Sequence, residues 1–270
     1  MPLKQTVAGS SPAGRTEKQP PYGRLFLLAI FKSGCYTYFM ETNITTTENS
    51  GFLLLDKPSG PTSHDMVYRL RRITGIKKIG HAGTLDPLAS GLLIMAISRT
   101  ATKQIDSLAK QTKTYEAIFQ LGGISDTEDR LGKIEETKNC QIPTIKDLQT
   151  ALTSFLGEQE QIPPMYSAKK IAGKKLYELA RKGQIVERQP SQITIYNIDL
   201  IDYTWPQVKL TINCSAGTYI RSIARDLGQK LGCGAYLAEL RRTAIGDYLV
   251  TKAINPDELT AENWTEFLIS

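Results

Sequence analysis

Hydrophobic and polar positions follow two periods along this chain, and each change of period marks an element. "QVKLTINC" (207–214) alternates strictly, with Val208, Leu210, Ile212 and Cys214 on one face, which predicts a half-buried strand. It pairs with "QITIYNIDLID" (192–202) across a turn at Thr204-Trp205-Pro206. "TYEAIFQLG" (114–122) alternates in the same way and enters a turn at Gly122-Gly123. "GFLLLDKPSGPTSHD" (51–65) is a short apolar run stopped by Asp56-Lys57-Pro58 and a Gly-Pro turn, so a strand leads into a tight loop. "LLIMAI" (92–97) is unbroken and apolar, as a short buried strand is, and "YLAELRRTAIGDYLV" (236–250) reads as a closing strand pair.

A spacing of three and four residues takes over between these strands. Met66, Val67, Leu70 and Ile73 share one helical face, with Thr62 or Ser63 as the cap. "TATKQIDSLAK" (100–110) also reads as helical. Thr144 and Asp147 open another helix, whose stripe is Ile145, Leu148, Leu152, Phe155 and Leu156 and whose stop is Gly157. Ile220, Ile223, Ala224, Leu227 and Leu231 define a further one. Leu176, Leu179 and Ala180 point one face of a shorter helix inward. The order implies an α+β fold: a mixed, mostly antiparallel sheet with flanking helices on one side.

The first fifty residues read as a disordered N-terminal extension, of which residues 1–24 are rich in Pro, Gly, Ser and Thr and have no apolar period. Their apolar stretch "LFLLAIF" (25–31) is too short to span a bilayer, and a signal peptide would need a cleavage site that is not visible after it. Residues 1–39 are expected to be dispensable, with Met40 as an alternative start. Composition is ordinary for a soluble globular protein, at 41% hydrophobic and 22% charged. Four scattered cysteines (Cys35, Cys140, Cys214, Cys233) without C-x-x-C spacing, and two histidines, argue against zinc and for a reducing compartment, the cytoplasm. The net charge of +6 is concentrated: residues 1–39 hold +4 of it, leaving +2 for the rest. Any nucleic-acid footprint is therefore local. One basic patch runs from Arg69 through Arg71, Arg72 and Lys77 to Lys78. The other holds Lys169, Lys170, Lys174, Lys175, Arg181, Lys182 and Arg188. Each fits a solvated helix face as well as a polyanion site.

Candidate chemistry centres on "GHAGTLDPLASGLL" (80–93), which sets Asp86 between glycine-bearing turns and before a proline. Arg221 starts a helix, where the dipole disfavours a cation, so it faces solvent or pairs with a carboxylate. "SDTEDRLGK" (125–133) crowds Asp126, Glu128 and Asp129 but lacks the spacing of a calcium loop, and reads as a polar connection between strands. "QIPPMYSAKKIAGKKLYELARKG" (161–183) interleaves Tyr166 and Tyr177 with lysines, which suits phosphates and base faces, or a surface loop and amphipathic helix.

These segments carry a resemblance. "LLLDKPSGPTSHD", "GHAGTLDPLASGLL", "KTYEA", "LGGISDTEDRLG", "QIPPMYSAKKIAGKKLYELARKG", "CSAGTYIRSIARDLG" and "GCGAYLAELRRT" occur in the order found in the bacterial tRNA pseudouridine synthase B (TruB) family, which has dyskerin as its eukaryotic relative. The resemblance implies an isomerase that converts uridine to pseudouridine in the T arm of tRNA, conventionally at position 55, with no cofactor. It implies Asp86 as the nucleophile on a flipped-out base, Arg221 as its partner that lowers the carboxylate pKa, and Tyr115 as the stacking and proton-moving tyrosine. Tyr219, Leu240, His81 and Lys57 match substrate-contact or supporting positions, with His81 filling the space that the base vacates. Residues 51–250 match the catalytic domain, and about 161–189 the insertion that closes over the T stem-loop, with Lys169, Lys170, Lys174 and Lys175 as its RNA contacts. Arg69 and Arg72 are further RNA-binding candidates. The partner implied is tRNA, for a monomer with no membrane association. Residues 251–270 read as a short tail able to form one helix in place of the family's PUA domain.

Three rival readings are distinguishable. An aspartate-nucleophile hydrolase would need a phosphate loop or a metal cluster. A noncatalytic RNA chaperone would have no use for Asp86, Tyr115 and Arg221 together. The third is the same chemistry on another RNA such as ribosomal RNA, and the motif spacing favours tRNA over it.

Overall fold

The first described element is β1 (Gly51–Lys57), followed by α1 (Ser63–Thr74), β2 (Ile79–Ala82) and β3 (Ser90–Ile97). The computed structural model describes residues 49–269 apart from 168, 172, 181, 182 and 185. The expectations for residues 1–48, and those for Arg181 and Lys182, lie outside it. Two short helices, α2 (Ser98–Thr102) and α3 (Ile105–Ala109), lead to β4 (Lys113–Leu121), then β5 (Gly123–Ser125) and β6 (Ile134–Glu136). Next come α4 (Ile145–Thr153), β7 (Gly157–Gln161), β8 (Lys170–Ile171), β9 (Lys174–Lys175) and α5 (Leu176–Ala180). The last third holds β10 (Ser191–Thr204), β11 (Gln207–Cys214), α6 (Ile220–Lys230), β12 (Ala235–Ile245), β13 (Tyr248–Leu249) and β14 (Leu268–Ile269).

The main sheet runs β14-β1-β3-β12-β4-β11-β10-β7, with β2 paired to β3 and β13 to β12. Every pairing in it is antiparallel except β3 with β12. That parallel junction matters most for function. It places Arg242 opposite Gly91, while the other edge of β12 pairs Arg242 with Tyr115 of β4.

Helices cover both faces of the sheet, where one face was expected. Leu53, Leu55, Leu93, Met95 and Ile97 join the large core with α1, α4 and α6. Phe52, Leu54, Leu92, Ile94 and Ala96 pack on the opposite face with Ala101 and Leu108 of α2 and α3. Burial of both faces explains the unbroken apolar runs in β1 and β3. The helix expected over 100–110 is two helices, and its start moves back to Ser98. In α4 the stripe is narrower than expected. Leu148, Leu152 and Phe155 are buried, whereas Ile145 and Leu156 are exposed. The helix also stops at Thr153, ahead of Gly157, which begins β7. The closing residues make 3₁₀ turns at Pro256–Glu258 and Trp264–Phe267, not the one helix expected. They then add β14 to the edge of β1, with Ile254, Leu259 and Trp264 buried.

Capping boxes open α1 and α4 as their sequences require. Thr62 and Asp65 exchange backbone and side-chain bonds, as do Thr144 and Asp147. Because Thr62 is the α1 cap, the Ser63 hydroxyl is released for a different task in the Asp86 loop.

Gly91 has no room for a side chain. Its φ is +101°, and a Cβ there would sit 2.2 Å from the Arg242 carbonyl oxygen. Gly91→Ala should therefore lower stability by roughly 3 kcal/mol, from strain and overpacking together. A urea titration showing a lower midpoint at constant m-value would show it; an unchanged midpoint would contradict the close strand approach.

Candidate active site

Asp86 sits on the loop between β2 and β3, and that loop is pinned from three directions. Ser63 Oγ donates to the Leu85 carbonyl at 3.0 Å and accepts from the Leu85 amide at 2.9 Å. Ser59 Oγ donates to Leu88 O at 2.8 Å, and the Gly60 amide donates to Pro87 O at 2.8 Å. From beneath, Arg242 Nη2 donates to Gly83 O at 3.0 Å and Nε to Leu92 O at 2.8 Å. Leu85, Leu88 and Ala89 anchor the loop in the core. The Asp86 carboxylate thus projects from a backbone with little freedom to move, which is what a positioned reactive group needs.

Arg221 meets it from the first turn of α6. The Nε–Oδ2 distance is 2.9 Å, and the Arg221 side chain is only 4% exposed against 35% for Asp86. The Nε–H points out of line with its oxygen neighbours, so attraction to Asp86 is mainly coulombic. The guanidinium is oriented instead by Nη1 donating to Thr127 O at 3.1 Å and Nη2 to Tyr166 O at 2.8 Å. A second carboxylate, Asp129, lies 3.8 Å from the same Nε. It is tied into its own loop by bonds from Thr127 Oγ1 and the Leu131 amide.

The expectation that Arg221 lowers the Asp86 pKa is half of the outcome. The net direction is upward, because burial against the crevice wall outweighs Arg221, and Asp129 adds to the rise. The third of the side chain left open to water keeps this penalty below that of an enclosed carboxylate.

Asp86 stands where two hollows meet. The inner one, about 260 Å³, is walled by Tyr115, Tyr219, Leu240, Lys113, Ser167 and Arg242. The outer crevice, about 680 Å³, is bordered by His64, His81, Leu131 and Tyr166. A larger hollow of about 730 Å³ beside α4 holds no paired buried carboxylate and cation. Burial raises the Tyr115 pKa, opposed by Arg242, and likewise raises that of Tyr219. Both phenols therefore stay protonated at neutral pH, and their rings offer flat faces to a planar guest. Gln161 brackets the start of α6, accepting from the Tyr219 amide at 2.8 Å and donating to its carbonyl at 3.1 Å.

The five residues Asp86, Tyr115, Arg221, Tyr219 and Leu240 share the inner pocket. His81 borders the outer crevice, with burial lowering its pKa. Lys57 lies beneath the site, fully buried, with Nζ donating to Pro58 O and Pro61 O at 2.8 and 2.7 Å. Burial pulls its ammonium down to about 8, against Asp86, which favours the charge. It supports the loop and does not reach the pocket wall. Lys169 donates to Gln189 O and Ser191 Oγ, which ties the two ends of the basic segment together. Only the backbone of Lys170, Lys174 and Lys175 is described. Arg69 pairs with Asp257 at 2.6 Å, while Arg72 is exposed. The sequence reading gave no role to Arg242 or Lys113, took Glu128 and Asp129 as part of a polar connection, and offered Ser63 only as a helix cap. Glu128 binds Arg225 and accepts from Ser222 Oγ, so the acidic connection serves α6 and not solvent. The only sequence signal for these was an unusual density of charge beside apolar strands.

Known sequences settle the family. A family profile described as "TruB family pseudouridylate synthase (N terminal domain)" matches residues 71–220, and "tRNA pseudouridylate synthase B C-terminal domain" matches residues 221–267. A Clostridium novyi protein named tRNA pseudouridine synthase B is 46% identical over 82% of this chain and 76% of its own length. The chain belongs to the TruB family. A second TruB relative, from Protochlamydia amoebophila, is 47% identical over 81% of this chain and 83% of its own. Among solved structures, a chain in the "Cbf5-Nop10-Gar1 Complex" superposes with a TM-score of 0.58 at 30% identity, covering 76% of this chain. One in the "H/ACA RNP bound to a substrate RNA containing 2'-deoxyuridine" gives 0.60 at 28% identity over 81%. This chain spans about half the length of those two, at 52% and 56%. The TruB match thus covers both the Asp86 loop and the start of α6, which supplies Arg221.

The opposing influences on Asp86 can be separated. Carboxyl-carbon NMR should place its titration above the ordinary aspartate range. Asp129→Asn should move the midpoint down and Arg221→Gln should move it up. Shifts of the opposite sign would refute this electrostatic account.

Proposed function

We propose that this chain isomerises uridine to pseudouridine in tRNA, at the T-arm uridine conventionally numbered 55, on a base flipped into the inner pocket. The observation that carries the reading is the Asp86–Arg221 pair at the mouth of a pocket walled by Tyr115, Tyr219 and Leu240. A base inside folded RNA has to leave its stack to reach such a carboxylate. The stacking faces of the two tyrosines would compensate for part of that cost.

In this reading Asp86 forms a bond to the nucleoside and the C1′–N1 bond breaks. The freed uracil turns, C1′ bonds to C5, the C5 proton leaves, N1 gains a proton, and Asp86 is released. The product is an isomer of the substrate, so no co-reactant is consumed. Arg221 holds Asp86 as an anion against the pull of burial. Tyr115 stacks on the base, and the Arg242 charge beside it, which opposes the rise of its pKa, favours the phenolate that would take up the C5 proton. His81 enters the space left in the RNA.

Residues 51–250 form the catalytic unit on this view. Residues 161–189 close over the T stem-loop, with the lysines on phosphates, and Arg72 extends the contact along α1. With Arg69 held by Asp257, its contribution is smaller than that of Arg72. The protein acts as a monomer in the cytoplasm. Among the described residues no helix is long and apolar enough to cross a membrane.

Asp86→Asn should abolish pseudouridine formation on a T-arm stem-loop and leave affinity within about tenfold, or ~1.4 kcal/mol. Measurable turnover by that variant would remove the nucleophile assignment. For the basic segment, the Lys174→Ala, Lys175→Ala double variant should weaken binding to any RNA of the same shape. Its log–log salt dependence should become shallower by about 0.7–0.9 per lost phosphate contact. A titration at several salt concentrations with an unchanged slope would assign the lysines to a solvated face.

A further inference from the structure

The Ser167 side chain is 96% buried by its relative exposure of 4%, yet its hydroxyl has no hydrogen-bond partner among the described residues. It lies beside the Tyr219 phenol and opposes the rise of that phenol's pKa, without making a hydrogen bond to it. Leaving a buried hydroxyl unpaired costs about 1–3 kcal/mol, and native structures rarely retain such a group without a use for it. Its location points to a use: Ser167 borders both the inner pocket and the outer crevice, as Asp86 does.

The position is fixed as well. The preceding carbonyl, that of Tyr166, accepts from Arg221 Nη2 at 2.8 Å. Two residues further on, Lys169 ties the segment to Gln189 and Ser191. The hydroxyl is therefore held at the pocket wall by the same arginine that pairs with Asp86. The inner hollow that Ser167 borders, about 260 Å³, is roomy enough for a polar guest.

We infer that Ser167 is a substrate-binding residue, whose hydroxyl bonds the polar edge of the uracil held in the inner pocket. This rests on the proposed isomerisation and deepens it, since it gives the basic segment a role inside the pocket as well as on phosphates. In the free enzyme the hydroxyl has no hydrogen-bond partner among the described residues. Once the base arrives, the bond forms and the segment is fixed against the guest. The residue thus costs stability in the absence of RNA and contributes to the reaction in its presence.

That trade distinguishes it from a structural serine. Ser167→Ala and the size-matched Ser167→Cys should each melt at the same temperature as the parent or slightly higher, because an unpaired polar group is removed. Each should slow single-turnover pseudouridine formation on a saturating T-arm stem-loop by about tenfold. Affinity for the stem-loop, set mostly by phosphate contacts, should change by less than about threefold. Parent protein is assayed alongside: if it makes no pseudouridine, the proposed function itself fails. If the parent is active and the variants react at its rate, the inference about Ser167 alone is overturned. A fall in melting temperature that accompanies the loss of rate would also overturn it, by making the serine structural. Loss of affinity with an unchanged rate on bound RNA would place it on the binding surface, again against the inference.

Discussion

The Arg221 guanidinium is the constraint on which the functional centre depends. It is almost fully buried, and it joins three segments that are distant in sequence: the Asp86 loop, the 125–131 loop and the start of the basic insertion. Removing one member of a buried ion pair commonly costs about 3–5 kcal/mol, because the other charge is left without compensation. The two backbone carbonyls are what make the burial tolerable, since they satisfy the Nη groups whether or not Asp86 is engaged. In the proposed reaction, Asp86 can therefore leave the pair for a substrate without stranding the cation.

The surroundings extend this logic. Arg242, Lys57 and Lys113 are all buried around the Asp86 carboxylate, with Asp129 the only other acid in contact with Arg221 among the described residues. Burial draws both lysines down to about 8, so part of their charge is given up near neutral pH. Each also spends its donors on backbone carbonyls, Lys57 at Pro58 and Pro61 and Lys113 at Ala109 and Gln111. The cations thus hold loops in place while making the floor of the pocket electropositive, which suits a polyanionic partner.

The sheet is what brings these groups together. The parallel junction of β3 with β12 lets Arg242 pass under the Asp86 loop, and the antiparallel pairing of β12 with β4 sets Tyr115 beside it. A residue with a Cβ at position 91 would close that route. Helices on both faces then bury the alternate side chains of β1 and β3, so the platform under the site is rigid.

Local chemistry made much of this legible in the sequence. Strict alternation marked β4 and β11, threefold and fourfold spacing marked α1 and α6, and Thr62–Asp65 and Thr144–Asp147 marked two helix starts, because each depends only on neighbours along the chain. The ordered motifs singled out Asp86, Tyr115, Arg221, Tyr219 and Leu240, which share one pocket. The exposure of Ile145 and Leu156, and the division of the sheet's cover between two faces, depended on which surface each helix met. The pairing of Arg221 with Asp129 as well as Asp86, the upward shift of the Asp86 pKa, the engagement of Arg69 by Asp257 and the unpaired hydroxyl of Ser167 arise between residues far apart in the chain. Sequence determined which groups were available and which elements carried them. Only the tertiary structure decided which charges were buried together, because desolvation and coulombic attraction depend on distance in space and not along the chain.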